Sequence, residues 1–190
     1  MDGHHLILGE IVDYLSGETL EDTHDERYRQ RIARFLVEEK GYAKKEISSR
    51  YELIAKANNK RAVMKIDFLI RLKNRTCMII KYSPGSLVTR HRLSLAASRL
   101  AAPYQIPVVV VTNGIEADIL SGKTGRLLAS GFQAIPSRDE LIRKVSENPF
   151  EIISSIRAEK ESRILYAFEV DDACPCDDSI CKIPDNGSNE

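Results

Sequence analysis

Apolar and polar positions alternate in two rhythms along this chain, and the changes between them mark its elements. From Thr23-His24-Asp25-Glu26 the period is helical. Tyr28, Ile32, Phe35 and Leu36 share one face, and Gly41 is a C-terminal stop. The rhythm then shortens to two. It predicts strands over 50–57, 62–72 and 76–82, joined by Asn58-Asn59-Lys60 and Lys73-Asn74-Arg75, which read as hairpin turns. Ser83-Pro84-Gly85-Ser86 breaks the pattern, and a second helix is expected over 88–102 with Leu93, Ala96, Ala97, Leu100 and Ala101 on one face. The run 107–112 is almost continuously β-branched, as in a strand buried on both faces, and Asn113-Gly114 ends it. Residues 116–130 read as a hairpin around Gly122 and Gly125. Pro136-Ser137 opens a helix reaching about Glu147, and beyond Pro149 a further helical stretch leads to Ile164-Leu165-Tyr166-Ala167-Phe168.

The order helix, three strands, helix, strand predicts an α/β fold with a mixed central sheet. The first strands form an antiparallel meander, and the buried strand after the crossover helix joins parallel to a neighbour. Four parts are expected: a lead-in over 1–22, a core domain over 23–147, a helical extension over 148–170, and an acidic, cysteine-bearing tail over 171–190. The tail ends Pro/Asn/Gly/Ser-rich, so its last residues are expected to be disordered.

Composition narrows the function classes. The chain has 190 residues, 43% of them hydrophobic, with 28 Lys plus Arg against 28 Asp plus Glu. A net charge of zero excludes a uniformly basic nucleic-acid binder, so any basic surface is local. The longest apolar run, near Val108-Val109-Val110-Val111, is too short to span a bilayer, and no membrane partner is expected. The start Met1-Asp2-Gly3-His4-His5 is not an export leader. The expected compartment is the reducing cytoplasm, where Cys77, Cys174, Cys176 and Cys181 are thiols or ligands rather than disulfides.

Three residues carry the candidate chemistry. By period two, Lys65, Asp67 and Arg71 share one strand face with Leu69, while Met64, Ile66, Phe68 and Ile70 share the other. Asp67 is then either part of a solvated polar face or an oxygen ligand for a metal. Lys81 closes the apolar run Cys77-Met78-Ile79-Ile80. It either snorkels to water or orients and helps deprotonate a water beside bound Mg²⁺. In such sites an acid two residues before the lysine holds the metal, because both share a face. Here that position is Ile79, which cannot ligate a hard cation, and Ile79→Glu is the change expected to restore a ligand. Glu26 stands three residues after Thr23, so it either closes a capping box or points at the sheet as a further metal ligand; Glu52 is a spare carboxylate.

Two further groups stand out. Arg90, His91 and Arg92 lie at the start of the second predicted helix with Arg99 two turns on, and a helix N-terminus already favours phosphate. They are the candidate DNA-backbone contacts; a solvated helix face is the other reading. Cys174, Cys176 and Cys181 form C-x-C-x₄-C, which is either a soft-metal site for Zn²⁺ or a flexible thiol-bearing tail.

From about Asp25 to Gly114 the chain resembles the N-terminal domain of type I restriction enzyme R subunits, a branch of the PD-(D/E)xK nuclease superfamily. The resemblance rests on Glu26-x-x-Arg29-Gln30, Gly41-Tyr42, Lys65-Ile66-Asp67-Phe68-Leu69-Ile70, Ile79-Ile80-Lys81 with Pro84, and Val111-Thr112-Asn113-Gly114. It implies a restriction-endonuclease-like αβββαβ core that cleaves DNA with Mg²⁺. Asp67 would then bind metal, Lys81 assist the nucleophile and Glu26 serve as the helix acid. The chain departs from the pattern at Ile79, and at Ala96 and Leu100 where the family carries a glutamine and a tyrosine. Two readings follow: a metal-dependent deoxyribonuclease, weakened or silent, or an inactive nuclease-fold module that binds DNA or a protein partner.

Overall fold

The computed structural model describes residues 7–57, 60–147 and 150–171. The predicted order is realised by α1 (His24–Glu38), β3 (Ile47–Ala57), β4 (Lys60–Leu72), β5 (Arg75–Tyr82), α2 (Leu87–Ser98) and β6 (Val108–Thr112), preceded by β1 (Glu10–Val12) and β2 (Thr19–Glu21). After β6 come β7 (Ala117–Ser121), β8 (Leu127–Ser130), α3 (Arg138–Ser146) and α4 (Ser155–Asp171). Strands β3 to β8 form one sheet in chain order; β5 and β6 run parallel and the other pairs antiparallel. This is a mixed-sheet, restriction-endonuclease-like α/β core.

Local chemistry explains most boundaries. Thr23 caps α1 by accepting from the Glu26 N–H at 3.1 Å, and Gly41 takes φ 75°, which leads the chain out of that helix. Lys73 and Asn74 both have positive φ, so the β4–β5 turn is a two-residue connection whose twist suits the strands. α2 stops at Ser98 rather than at residue 102. The Arg99 and Leu100 N–H groups turn to carbonyls three residues back, and Pro103 disfavours helix at Ala102. The first sheet strand begins at Ile47, ahead of the predicted residue 50. The lead-in holds a short hairpin, β1 with β2, whose three-residue strands are too brief to show a period.

Two apolar layers sandwich the sheet. One joins α1 and α3 to Phe68, Ile70, Met78 and Ile80; the other joins α2 and α4 to Met64, Ile66, Leu69, Ile79 and Val109. The strict alternation predicted for β4 therefore fails: Ile66 packs in the second layer and Phe68 in the first. The switch falls at Asp67. On β3, Ser49 faces Phe68 and Tyr51 faces Ile66, so the pair between them, Arg50 and Asp67, is skipped in the ladder. Arg50 has φ 52°, a left-handed backbone that interrupts the pleat there. Among the described residues, no helix is long and apolar enough to cross a membrane.

Candidate active site

The ladder between β4 and β5 ends at Phe68 and Ile80, and the strands separate just beyond. Asp67 fills the opening. It is 3% exposed, so the reading as part of a solvated polar face is corrected: the switch in alternation turns it inward. Its Oδ2 accepts the Tyr82 N–H at 2.7 Å, taking the donor that a continued ladder would have used. Its Oδ1 accepts from Arg29 Nε at 2.7 Å, and Lys81 Nζ lies 3.5 Å from Oδ2. Lys81 also donates to the Lys65 carbonyl at 2.7 Å, so it bridges the gap rather than extending into water.

Glu26 reaches the same cluster from the first turn of α1. The capping box is only half formed: Thr23 accepts from the Glu26 backbone, but the Glu26 carboxylate turns to the sheet. Its Oε1 accepts from Arg50 Nη2 at 2.5 Å and from Gln30 Nε2 at 2.8 Å, and its Oε2 lies 3.6 Å from Arg29 Nη1. Arg50 also pairs with Asp13, and Gln30 accepts the Tyr14 N–H at 2.7 Å, so both tie the lead-in to the core. The result is a line of alternating sign, Asp13–Arg50–Glu26–Arg29–Asp67–Lys81, with three acids against three bases.

The surroundings move the proton affinities of Arg29, Asp13 and Tyr82. Burial works against the Arg29 cation, but Asp67, Glu26 and Asp25 outweigh it and raise the guanidinium above its usual range. Burial likewise pushes the Asp13 carboxyl upward; Arg50 and the Ser16 and Leu15 N–H groups more than offset it, and the net direction is down. Tyr82 is pushed up by burial and by Asp25, which accepts its hydroxyl at 3.1 Å.

Asp67, Lys81 and Glu26 are thus brought together. Ile79 is not part of the cluster: it is 0% exposed in the α2/α4 layer, with Leu69 on one side and Val109 on the other. Glu52 is exposed on β3 opposite Lys65, and the bonds of the cluster do not include it. Among the described residues, no group of three or more His, Cys, Asp or Glu side chains is placed to hold a metal ion. Cys174, Cys176 and Cys181 lie outside the described residues.

The basic group on α2 is largely spoken for. His91 Nε2 sits 2.8 Å from Asp118, and Arg92 Nη1 sits 2.6 Å from Glu161. Arg99 is buried rather than displayed, paired with the same Glu161 at 2.7 Å and bonded to Gln105, so it does not extend an exposed basic face. Sequence reasoning gave no role to Arg29, Gln30, Arg50 or Asp13. For the first two a signal existed, since they stand three and four residues after Glu26 on one helix and share its face. Arg50 and Asp13 carry no local signal, because only the fold brings them to Glu26.

Neither a comparison with curated proteins nor one with solved structures gives a match. The family model described as "Type I restriction enzyme R protein N terminus" does match, over residues 24–136. That stretch runs from the start of α1 to the approach to α3 and contains Glu26, Arg29, Asp67 and Lys81. It covers more than half of the chain, which therefore belongs to the family of the type I restriction enzyme R protein N terminus.

Proposed function

We propose that this chain is a nuclease-fold domain that engages the phosphate backbone of DNA without hydrolysing it through Mg²⁺. One observation carries the reading: a guanidinium, Arg29, stands between the two carboxylates that the resemblance offers as metal ligands, 2.7 Å from Asp67 and 3.6 Å from Glu26. Mg²⁺ requires a near-octahedral set of oxygens. Both Asp67 oxygens already accept protein hydrogens, Glu26 Oε1 accepts two, and the third acid position is a buried isoleucine. The donor set does not fit the ion. Arg29, Arg50 and Lys81 supply the positive charge that the buried acids need, so the cluster is balanced from within.

The family supports DNA as the partner. The alternative keeps Mg²⁺-dependent cleavage, with Asp67, Glu26 and a backbone carbonyl near Ile80 as ligands and Lys81 assisting water; the retained approach of Lys81 to Asp67 favours it. A protein partner is the remaining option. Fluorescence anisotropy on a labelled duplex separates these. The proposal expects binding in chelator that is no weaker than in Mg²⁺, since the ion only competes for the phosphates. Binding that requires the metal would overturn it, and no binding at low salt would move the assignment to a protein partner.

A further inference from the structure

We infer that the DNA-facing surface is a ridge of cations laid on aromatic rings along α1, rather than the basic start of α2; this rests on the DNA reading above. Arg27, Arg31 and Arg34 recur at four and three residues and are exposed on α1. Their Cα atoms span about 10 Å at roughly 1.5 Å per residue. The manner in which the cations are held is the informative part. Arg34 Cζ lies 4.7 Å from the Tyr14 ring centroid, and Lys44 Nζ lies 4.0 Å from the same centroid. Arg31 Cζ lies 5.7 Å from the Phe132 centroid and Lys40 Nζ 5.1 Å from that of Phe35, and those two rings pack at 4.5 Å. Four cations thus rest on two aromatic platforms.

A ring positions a cation without cancelling its charge, whereas a carboxylate cancels it. Among the described residues, none of these four is ion-paired. Asp22 takes Arg27 at 2.7 Å, Glu38 and Glu39 bond the Tyr14 hydroxyl at 3.0 Å and Gln133 Nε2 at 3.3 Å, and Glu140, which Lys40 influences, bonds the Ser137 N–H at 2.7 Å. On α2 the contrast is direct, since His91 and Arg92 each face a carboxylate. Fixed, unneutralised guanidinium groups with restricted side-chain freedom suit phosphate oxygens, which they meet in two-pronged contacts.

The test is anisotropy with one labelled duplex between 50 and 200 mM salt, the range over which counterion release is read. The neutral triple variant Arg31→Gln, Arg34→Gln, Lys44→Gln should lose affinity, and its slope of log K against log[salt] should flatten by about 2 to 3 units, near 0.9 for each phosphate contact. The charge-preserving variant Arg31→Lys, Arg34→Lys, Lys44→Arg should keep most of the slope, which separates charge from folding. Arg163→Gln, on the exposed face of α4, should change little. If the wild-type protein binds and the neutral variant keeps its slope, the ridge is overturned while the DNA reading stands. Equal losses in the neutral and charge-preserving variants also overturn it. If the wild-type protein binds no duplex at low salt, the DNA reading fails and the ridge with it.

Discussion

Placing a glutamate at position 79 is the change that the motif invites, and the structure predicts that it fails. Ile79 is 0% exposed in the α2/α4 layer, flanked in register by Leu69 and Val109, while Asp67 is bonded to Arg29 of α1. Ile79→Glu would forfeit about 2 to 3 kcal/mol of apolar burial. The new carboxyl would avoid a buried charge by staying protonated. A pKa raised by about 3 units at that depth adds roughly 4 kcal/mol at neutral pH. The sum, about 6 to 7 kcal/mol, is comparable to the whole stability of an ordinary domain, about 5 to 15 kcal/mol. Urea denaturation followed by circular dichroism should show Ile79→Glu largely unfolded in buffer, while Ile79→Val costs only about 1 kcal/mol. A folded Ile79→Glu, within about 1 kcal/mol of the natural protein and stabilised further by Mg²⁺ through ligand linkage, would refute the assignment of this side chain to the apolar layer.

Three other perturbations follow from the same geometry. Arg29→Gln leaves buried Asp67 with Lys81 and the Tyr82 N–H alone; the denaturation midpoint should fall by the equivalent of about 2 kcal/mol, less than for a pair with no remaining partner. Asp13 has a folded-state pKa below its ordinary value, so its pairing with Arg50 stabilises the fold above about pH 4 and is lost as pH falls through the lower folded value. Arg50→Gln should therefore melt well below the natural protein at pH 7, with the gap narrowing below about pH 4. Gly122→Ala would set a Cβ 1.8 Å from the Ile106 carbonyl oxygen, a backbone atom that cannot step aside. Its melting temperature should drop by an amount equivalent to about 2 kcal/mol or more.

The fold was legible where chemistry is local. The α1 cap, the Lys73-Asn74 turn and the β-branched run of β6 each announce themselves within a few residues, and their order is enough for the mixed sheet. What was illegible depends on distance. Arg50 adopts a positive φ without being glycine, and no spacing rule marks a switch of faces at Asp67. Period two therefore leaves a solvated face open as one of the two readings of Asp67. The α2 cluster reads as basic along the chain, yet Asp118 and Glu161, which answer it, lie 27 and 62 or more residues away. Glu26 was ambiguous for a related reason. Its backbone serves the helix cap and its side chain serves the sheet, and only Arg50, arriving from β3, decides between the two.

Incubation of the full chain with supercoiled plasmid in Mg²⁺ or Mn²⁺, beside a chelator control and Asp67→Ala, tests the central claim most directly. With Arg29 seated between Asp67 and Glu26, and hydrocarbon at position 79, the plasmid should remain supercoiled in every lane. Nicking or linearisation that appears only with the metal, and disappears in chelator and in Asp67→Ala, would contradict the account and establish the cluster as a working metal-dependent nuclease site.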